Sequence, residues 1–93
     1  MRTASLDVRA TASLQAFPRV GFVVPKYKHT GVERNLVKRR LREIVRLHML
    51  ALMQPHPPFD LVVRVFPSAY GREYAALHAE MEQAVQQLLR RLG

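Results

Sequence analysis

Arg34, Asn35, Lys38, Arg39, Arg42 and Arg46 crowd a short stretch of this 93-residue chain. At about 100° per residue, Asn35, Lys38, Arg39, Arg42 and Arg46 fall on one helical face, with Arg34 and Arg40 on its flanks. The chemistry open to such a face is neutralisation of phosphates. From Arg34 to Arg46 the row would run about 18 Å at 1.5 Å per residue, enough to follow several of them. Left bare, the arrangement is costly. Arg34/Lys38, Lys38/Arg42 and Arg42/Arg46 are like-charge pairs at i,i+4, each destabilising by roughly 0.2–0.5 kcal/mol. Glu43 can relieve only Arg39, Arg40 and Arg46, and Arg34 falls in the first turn, where the helix dipole disfavours a cation. A solvated surface accounts for solubility but not for this placement; a polyanion completes it.

Residue types that would carry covalent or metal chemistry do not assemble in the sequence. His29, His48, His56 and His78 have no metal-ligand spacing, and there are no cysteines. His48 lies on the apolar side of the basic stretch and reads as a satisfied core residue. Asp7, Glu33, Asp60 and Glu73 are scattered near the ends of expected elements, while Glu43, Glu80 and Glu82 sit on helices. No pair of them suggests general acid–base work or a two-metal centre, and neither a phosphate-binding glycine loop nor a nucleophile elbow is present. No catalytic residue and no metal ligand is expected in this polypeptide.

The elements that must position the basic row follow from local signals. Thr30 and Glu33 form a capping box, so a helix starts at Gly31; its apolar stripe, Val37, Leu41, Ile44, Val45, His48, Ala51 and Leu52, carries it to about Met53. Leu6 to Thr11 alternates apolar and polar and reads as a strand with Leu6, Val8 and Ala10 on one face. Ser13 to Pro18 reads as the loop of an antiparallel hairpin, with Arg19 to Val24 as the return strand. In that strand Gly21 marks either a bulge or the close approach of another backbone. Residues 25 to 30 link it to the helix and carry Lys26, Tyr27, Lys28 and His29. Tyr27 offers a face for base stacking or a cover for the sheet edge. Pro55, Pro57 and Pro58 end the helix. Phe59 to Phe66 is then a largely apolar strand, which implies a βαβ unit, and about Arg72 to Leu92 forms a core-covering helix.

Composition bounds the rest. The chain is one small domain spanning residues 1–93, with 48% hydrophobic residues, a formal net charge of +8 and a pI near 11.1. That balance points to an acidic partner, nucleic acid before membrane. No apolar run approaches a membrane span and no secretory h-region is present, so a cytoplasmic protein is expected.

Arg19-Val20-Gly21-Phe22-Val23-Val24-Pro25-Lys26-Tyr27, followed by Arg34-Asn35-Leu36-Val37-Lys38-Arg39-Arg40-Leu41-Arg42-Glu43, resembles the signature of the bacterial ribonuclease P protein subunit. That family has an Arg-Gly-hydrophobic strand, a Lys-rich turn and a helix reading Arg-Asn-Arg-x-x-Lys-Arg-x-x-Arg. Phe59 to Val65 resembles its later strand and residues 72 to 92 its closing helix. Leu36 departs from the pattern, standing where the family has its second arginine. Members normally open with a helix and a further strand ahead of the one at residues 6 to 11, a helix that helps wall a cleft for the 5′ leader of precursor tRNA.

The resemblance implies an α+β fold, a sheet of about three strands with the basic helix inside a β-α-β unit of left-handed crossover and a C-terminal covering helix. It implies a subunit of a ribonucleoprotein endonuclease in which the RNA performs metal-assisted hydrolysis, with Mg2+ serving that RNA and no cofactor on the protein. The implied partners are the catalytic RNA and precursor tRNA, with no membrane and no obligate protein partner. Arg34, Asn35, Lys38, Arg39 and Arg42 would dock on the RNA; Arg46 extends the same face by geometry, and Lys26 and Lys28 add to it from the linker. Val8, Arg9, Phe22 and Val24, with Lys26 at the edge, are the expected lining of the leader cleft. The competing reading is a ribosomal or assembly-type RNA-binding protein with no role in cleavage.

Overall fold

A computed structural model of the chain describes residues 1–14, 16, 18–25, 30–54 and 57–92. In order these form β1 (Leu6–Ala12), β2 (Arg19–Val23), α1 (Gly31–Ile44), a π-helical turn (Val45–Met49), α2 (Leu50–Met53), β3 (Phe59–Val65), a 3-10 turn (Pro67–Ala69) and α3 (Tyr74–Leu92). The architecture is the expected α+β one, with one three-stranded sheet and two long helical segments.

The order across the sheet is β1-β3-β2. β3 runs antiparallel to β1, with Leu6 opposite Val65 and Ala12 opposite Phe59, and parallel to β2, with Arg19 opposite Asp60 and Val23 opposite Arg64. The expected hairpin is therefore corrected: β1 and β2 are antiparallel to each other but never pair, because β3 takes the slot between them. The end of β1 at Ala12 and the start of β2 at Arg19 lie two strand spacings apart, about 10 Å, on either side of the start of β3. There the Ser13 N–H donates to the Pro58 carbonyl at 3.2 Å. β3 suits the middle because Phe59, Leu61, Val63 and Val65 are all buried on its inner side. Its alternate residues, Asp60, Val62 and Arg64, point to the other side. β2, α1 and β3 make the expected βαβ unit.

The sheet has one buried face. Leu6, Val8, Leu61, Val63 and Val65 join Val37, Leu41 and Ile44 of α1 and Leu77, Met81, Ala84, Val85, Leu88 and Leu89 of α3 in a single core. The helical stripe of the basic segment is as expected through Val45 and then shifts. The buried residues beyond it are Met49 and Met53, not His48 and Leu52, and Ala51 is exposed. The π-helical turn is the cause: it spends one residue more than an α-turn, so the inward face moves on by one position. His48 is thereby displaced to the rim, half-buried, where its ring stacks on that of His78 from α3 with centroids 4.0 Å apart.

The segment before β1 is held by α3. Glu80 Oε1 accepts from Thr3 Oγ1 at 2.6 Å and from the Ser5 N–H at 2.7 Å, while Arg72 Nε lies 3.4 Å from Oε2. The Val8 N–H donates to the Met1 carbonyl, so residues 1–3 fold back along β1.

Candidate nucleic-acid interface

α1 begins where the sequence places it. The Glu33 N–H donates to Thr30 Oγ1 at 3.2 Å and the Thr30 N–H donates to Glu33 Oε1 at 3.0 Å, closing the capping box. From this start, burial of Val37, Leu41 and Ile44 fixes the rotation of the helix, and the opposite face turns to solvent. Asn35, Arg39, Arg42 and Arg46 are exposed and Lys38 is half-buried. Val32, Asn35, Lys38, Arg39 and Arg42 line one shallow open depression of about 400 Å³. Lys38, Arg39 and Arg42 have no ion-pair partner among the described residues; Arg46 meets Glu43 at only 4.0 Å. A row of bare cations on a rigid helix can neutralise successive phosphates, and Asn35 can reach a base edge.

Two arginines of the stretch are engaged elsewhere. Arg40 donates to the Arg72 carbonyl at 2.7 Å, and Arg34 Nε donates to the Val24 carbonyl at 3.2 Å. Leu36, in the place of the motif arginine, is 36% exposed. Lys26 and Lys28, like Tyr27 and His29, lie outside the described residues.

The expected lining of the sheet cleft is corrected. Val8 is fully buried, Val24 is buried and Phe22 packs against the core, so these three face inward; of the four, Arg9 alone lies on the open side. Strand alternation is the reason, since Arg9 must point away from its neighbour Val8. The open face is built from the other register. Across it run Asp7, Arg64 and Val23, then Arg9, Val62 and Gly21, then Thr11, Asp60 and Arg19. Val23 and Val62 remain 43% and 46% exposed in the middle of this polar surround. Gly21 pairs in register with Val62, without a bulge, and a Cβ there would meet nothing within 4 Å. Packing among the described residues does not require a glycine at this position; close approach by another backbone would use it. Asp7, Arg9, Val23, Val62 and Arg64 line one shallow depression of about 320 Å³, and Arg19, Gly21, Asp60 and Val62 help line another of about 310 Å³.

Charges on this face are largely paired. Arg9 Nε lies 3.3 Å from Asp7 Oδ2; Arg19 binds Asp60 through both Nε, at 3.3 Å, and Nη2, at 2.9 Å. The Arg19 hydrogen bond is the main reason the Asp60 carboxyl is held below its usual range, and the same contact raises Arg19.

Comparison with known proteins decides the family. A family model described as Ribonuclease P matches residues 1–89. This chain belongs to the ribonuclease P protein family. The ribonuclease P protein component of Streptomyces griseus is 39% identical over 90 residues, covering 96% of this chain and 70% of that protein. That of Arthrobacter sp. strain FB24 is 41% identical over 75 residues, covering 81% of this chain and 53% of its own. The fold agrees with that of ribonuclease P proteins of known structure. The Thermotoga maritima protein, in complex with 1-(4-fluorophenyl)-2-thiourea, superposes with a TM-score of 0.79 at 19% identity, over 91% of this chain and 80% of that one. The Staphylococcus aureus protein gives 0.77 at 18%, over 100% and 82%. Membership makes this a protein component of a tRNA-processing ribonuclease. Among the described residues no helix is long and apolar enough to cross a membrane, and no group of three or more His, Asp or Glu could hold a metal ion.

Proposed function

We propose that the chain binds the catalytic RNA of ribonuclease P through the α1 row and receives the 5′ leader of precursor tRNA across the open sheet face, promoting endonucleolytic maturation of the tRNA 5′ end. The observation that carries this is the pairing of two unlike exposed surfaces on one small fold: cations along α1 without an ion-pair partner among the described residues, and a one-sided sheet whose outer face keeps Val23 and Val62 exposed. Hydrolysis belongs to the RNA and its Mg2+. The protein's part is electrostatic and positional: Lys38, Arg39, Arg42 and Arg46 offset phosphate repulsion, and Asn35 reads a base edge or fixes an adjacent arginine. A cytoplasmic location follows from those partners.

The test is cleavage of a precursor tRNA by a bacterial ribonuclease P RNA at low magnesium, with and without the protein. Stimulation at the mature 5′ end is expected. RNA binding with no stimulation would favour a ribosomal or assembly-type RNA binder instead. With about five phosphates neutralised, log K against log salt should have a slope of roughly −3 to −5.

A further inference from the structure

Arg34 is the residue that the phosphate-contact view explains least. It lies in the first turn of α1, where the dipole disfavours a cation, and it is not among the residues lining the basic depression. It is half-buried, and its Nε–H points back to the Val24 carbonyl at 3.2 Å. Val24 is the first residue beyond β2, itself buried. The next carbonyl, of Pro25, accepts from the Tyr70 hydroxyl, which comes from the connection between β3 and α3. Both carbonyls at the exit of β2 are thus held by side chains from elsewhere in the fold, one of them by the helix that carries the basic row.

We propose that Arg34 is a positioning residue, whose Nε–H···O=C bond to Val24 sets α1 at a fixed angle to β2 and so keeps the basic row and the open sheet face in register for one RNA assembly. This rests on the two-surface reading above. On this view the useful part of Arg34 is the N–H donor at its Nε position along the side chain, and its charge is incidental.

Donor and charge separate in one substitution. The Nε2 of glutamine stands the same number of bonds from Cα as the Nε of arginine, so Arg34→Gln keeps an N–H at that point and removes the charge. The full-length protein, reconstituted with ribonuclease P RNA, is assayed in two ways. One is the salt slope of RNA binding; the other is the ratio of affinities for precursor tRNA with a long leader and with a single-nucleotide leader. Arg34→Gln should keep the wild-type slope and leader ratio within about twofold. Arg34→Ala should keep the slope but reduce the leader ratio by about twofold to tenfold, the range for one lost hydrogen bond. Should Arg34→Ala fail to fold, Arg34→Gln alone decides. A fall of about 0.7–0.9 in the slope with Arg34→Gln, the mark of a lost phosphate contact, overturns the proposal, as does a leader ratio for Arg34→Ala equal to wild type. Arg39→Ala serves as the control. If it leaves both affinity and slope intact, the two-surface reading has failed, and the assignment of Arg34 falls with it.

Discussion

The α1 row and the outer face of the sheet are both exposed and both carry arginines, yet they are electrostatically different surfaces. Along α1 the outward Lys38, Arg39 and Arg42 stand without an ion-pair partner among the described residues. On the sheet Arg9 and Arg19 are each matched by an aspartate, and valines fill the centre. Local geometry produces the difference. Helical side chains at i and i+4 share a face, so a cation-rich sequence yields a like-charged row. In a sheet the neighbours across the rung come from distant sequence, and Asp60 of β3 can be set opposite Arg19 of β2. A surface of bare charge binds polyanions with strong salt dependence, whereas a surface of paired charge and valine depends more on shape and backbone approach.

The largest effect should come from emptying the row. Replacing Lys38, Arg39 and Arg42 together by alanine should flatten the salt slope of RNA binding by roughly 2 to 3 units, at about 0.7–0.9 per phosphate, and lower affinity near 0.1 M salt by about a hundredfold or more. An unaltered slope would erase the distinction between the two surfaces. Next in size is Val62→Asp, which sets an anion in the middle of the open sheet face. It should weaken leader-dependent binding of precursor tRNA by about threefold to tenfold through like-charge repulsion while leaving the slope for the catalytic RNA alone; a changed slope with unchanged leader binding would mean that the sheet is not the leader surface. Thr30→Ala removes the N-cap beneath the row and should cost about 0.5–2 kcal/mol in urea denaturation. Equal stability would mean the capping box does not anchor the start of α1.

The smallest effect is with pH. Because the folded-state value of Asp60 is depressed, chiefly by the Arg19 hydrogen bond, the pair contributes stability above the ordinary carboxylate value near about 4. That contribution is lost as pH falls through the depressed value. Titration of the Asp60 carboxyl followed by NMR should place its midpoint below that of an unpaired aspartate, and Arg19→Ala should move it upward. A midpoint at or above the ordinary value would mean that the pairing on the sheet face is absent in solution.

Much of this was legible in the chain because it is local. The capping box involves residues three apart, and the basic row needs only the helical period and an apolar stripe to orient it. Strand alternation likewise puts Leu6, Val8 and Ala10 on one face of β1 but does not say which face is buried, and Val8 was expected on the open side. The shift of the stripe from His48 and Leu52 to Met49 and Met53 was not legible, because both registers are apolar enough and the π-helical turn settles between them through packing. Alternation within one strand also leaves open which strand lies beside it, and that is why a hairpin was expected where β3 intervenes.

By itself, then, the sequence determined the surface whose parts are neighbours along the chain: a capped helix, its inward stripe through Val45 and its outward cations. Only the tertiary structure decided the other surface, by inserting β3 between β1 and β2 and turning Val8, Phe22 and Val24 inward. The same assembly gave Arg34 a carbonyl partner ten residues back, at the exit of β2. A helix carries its own hydrogen bonds and periodicity, whereas a sheet face is defined by partners that only folding brings together.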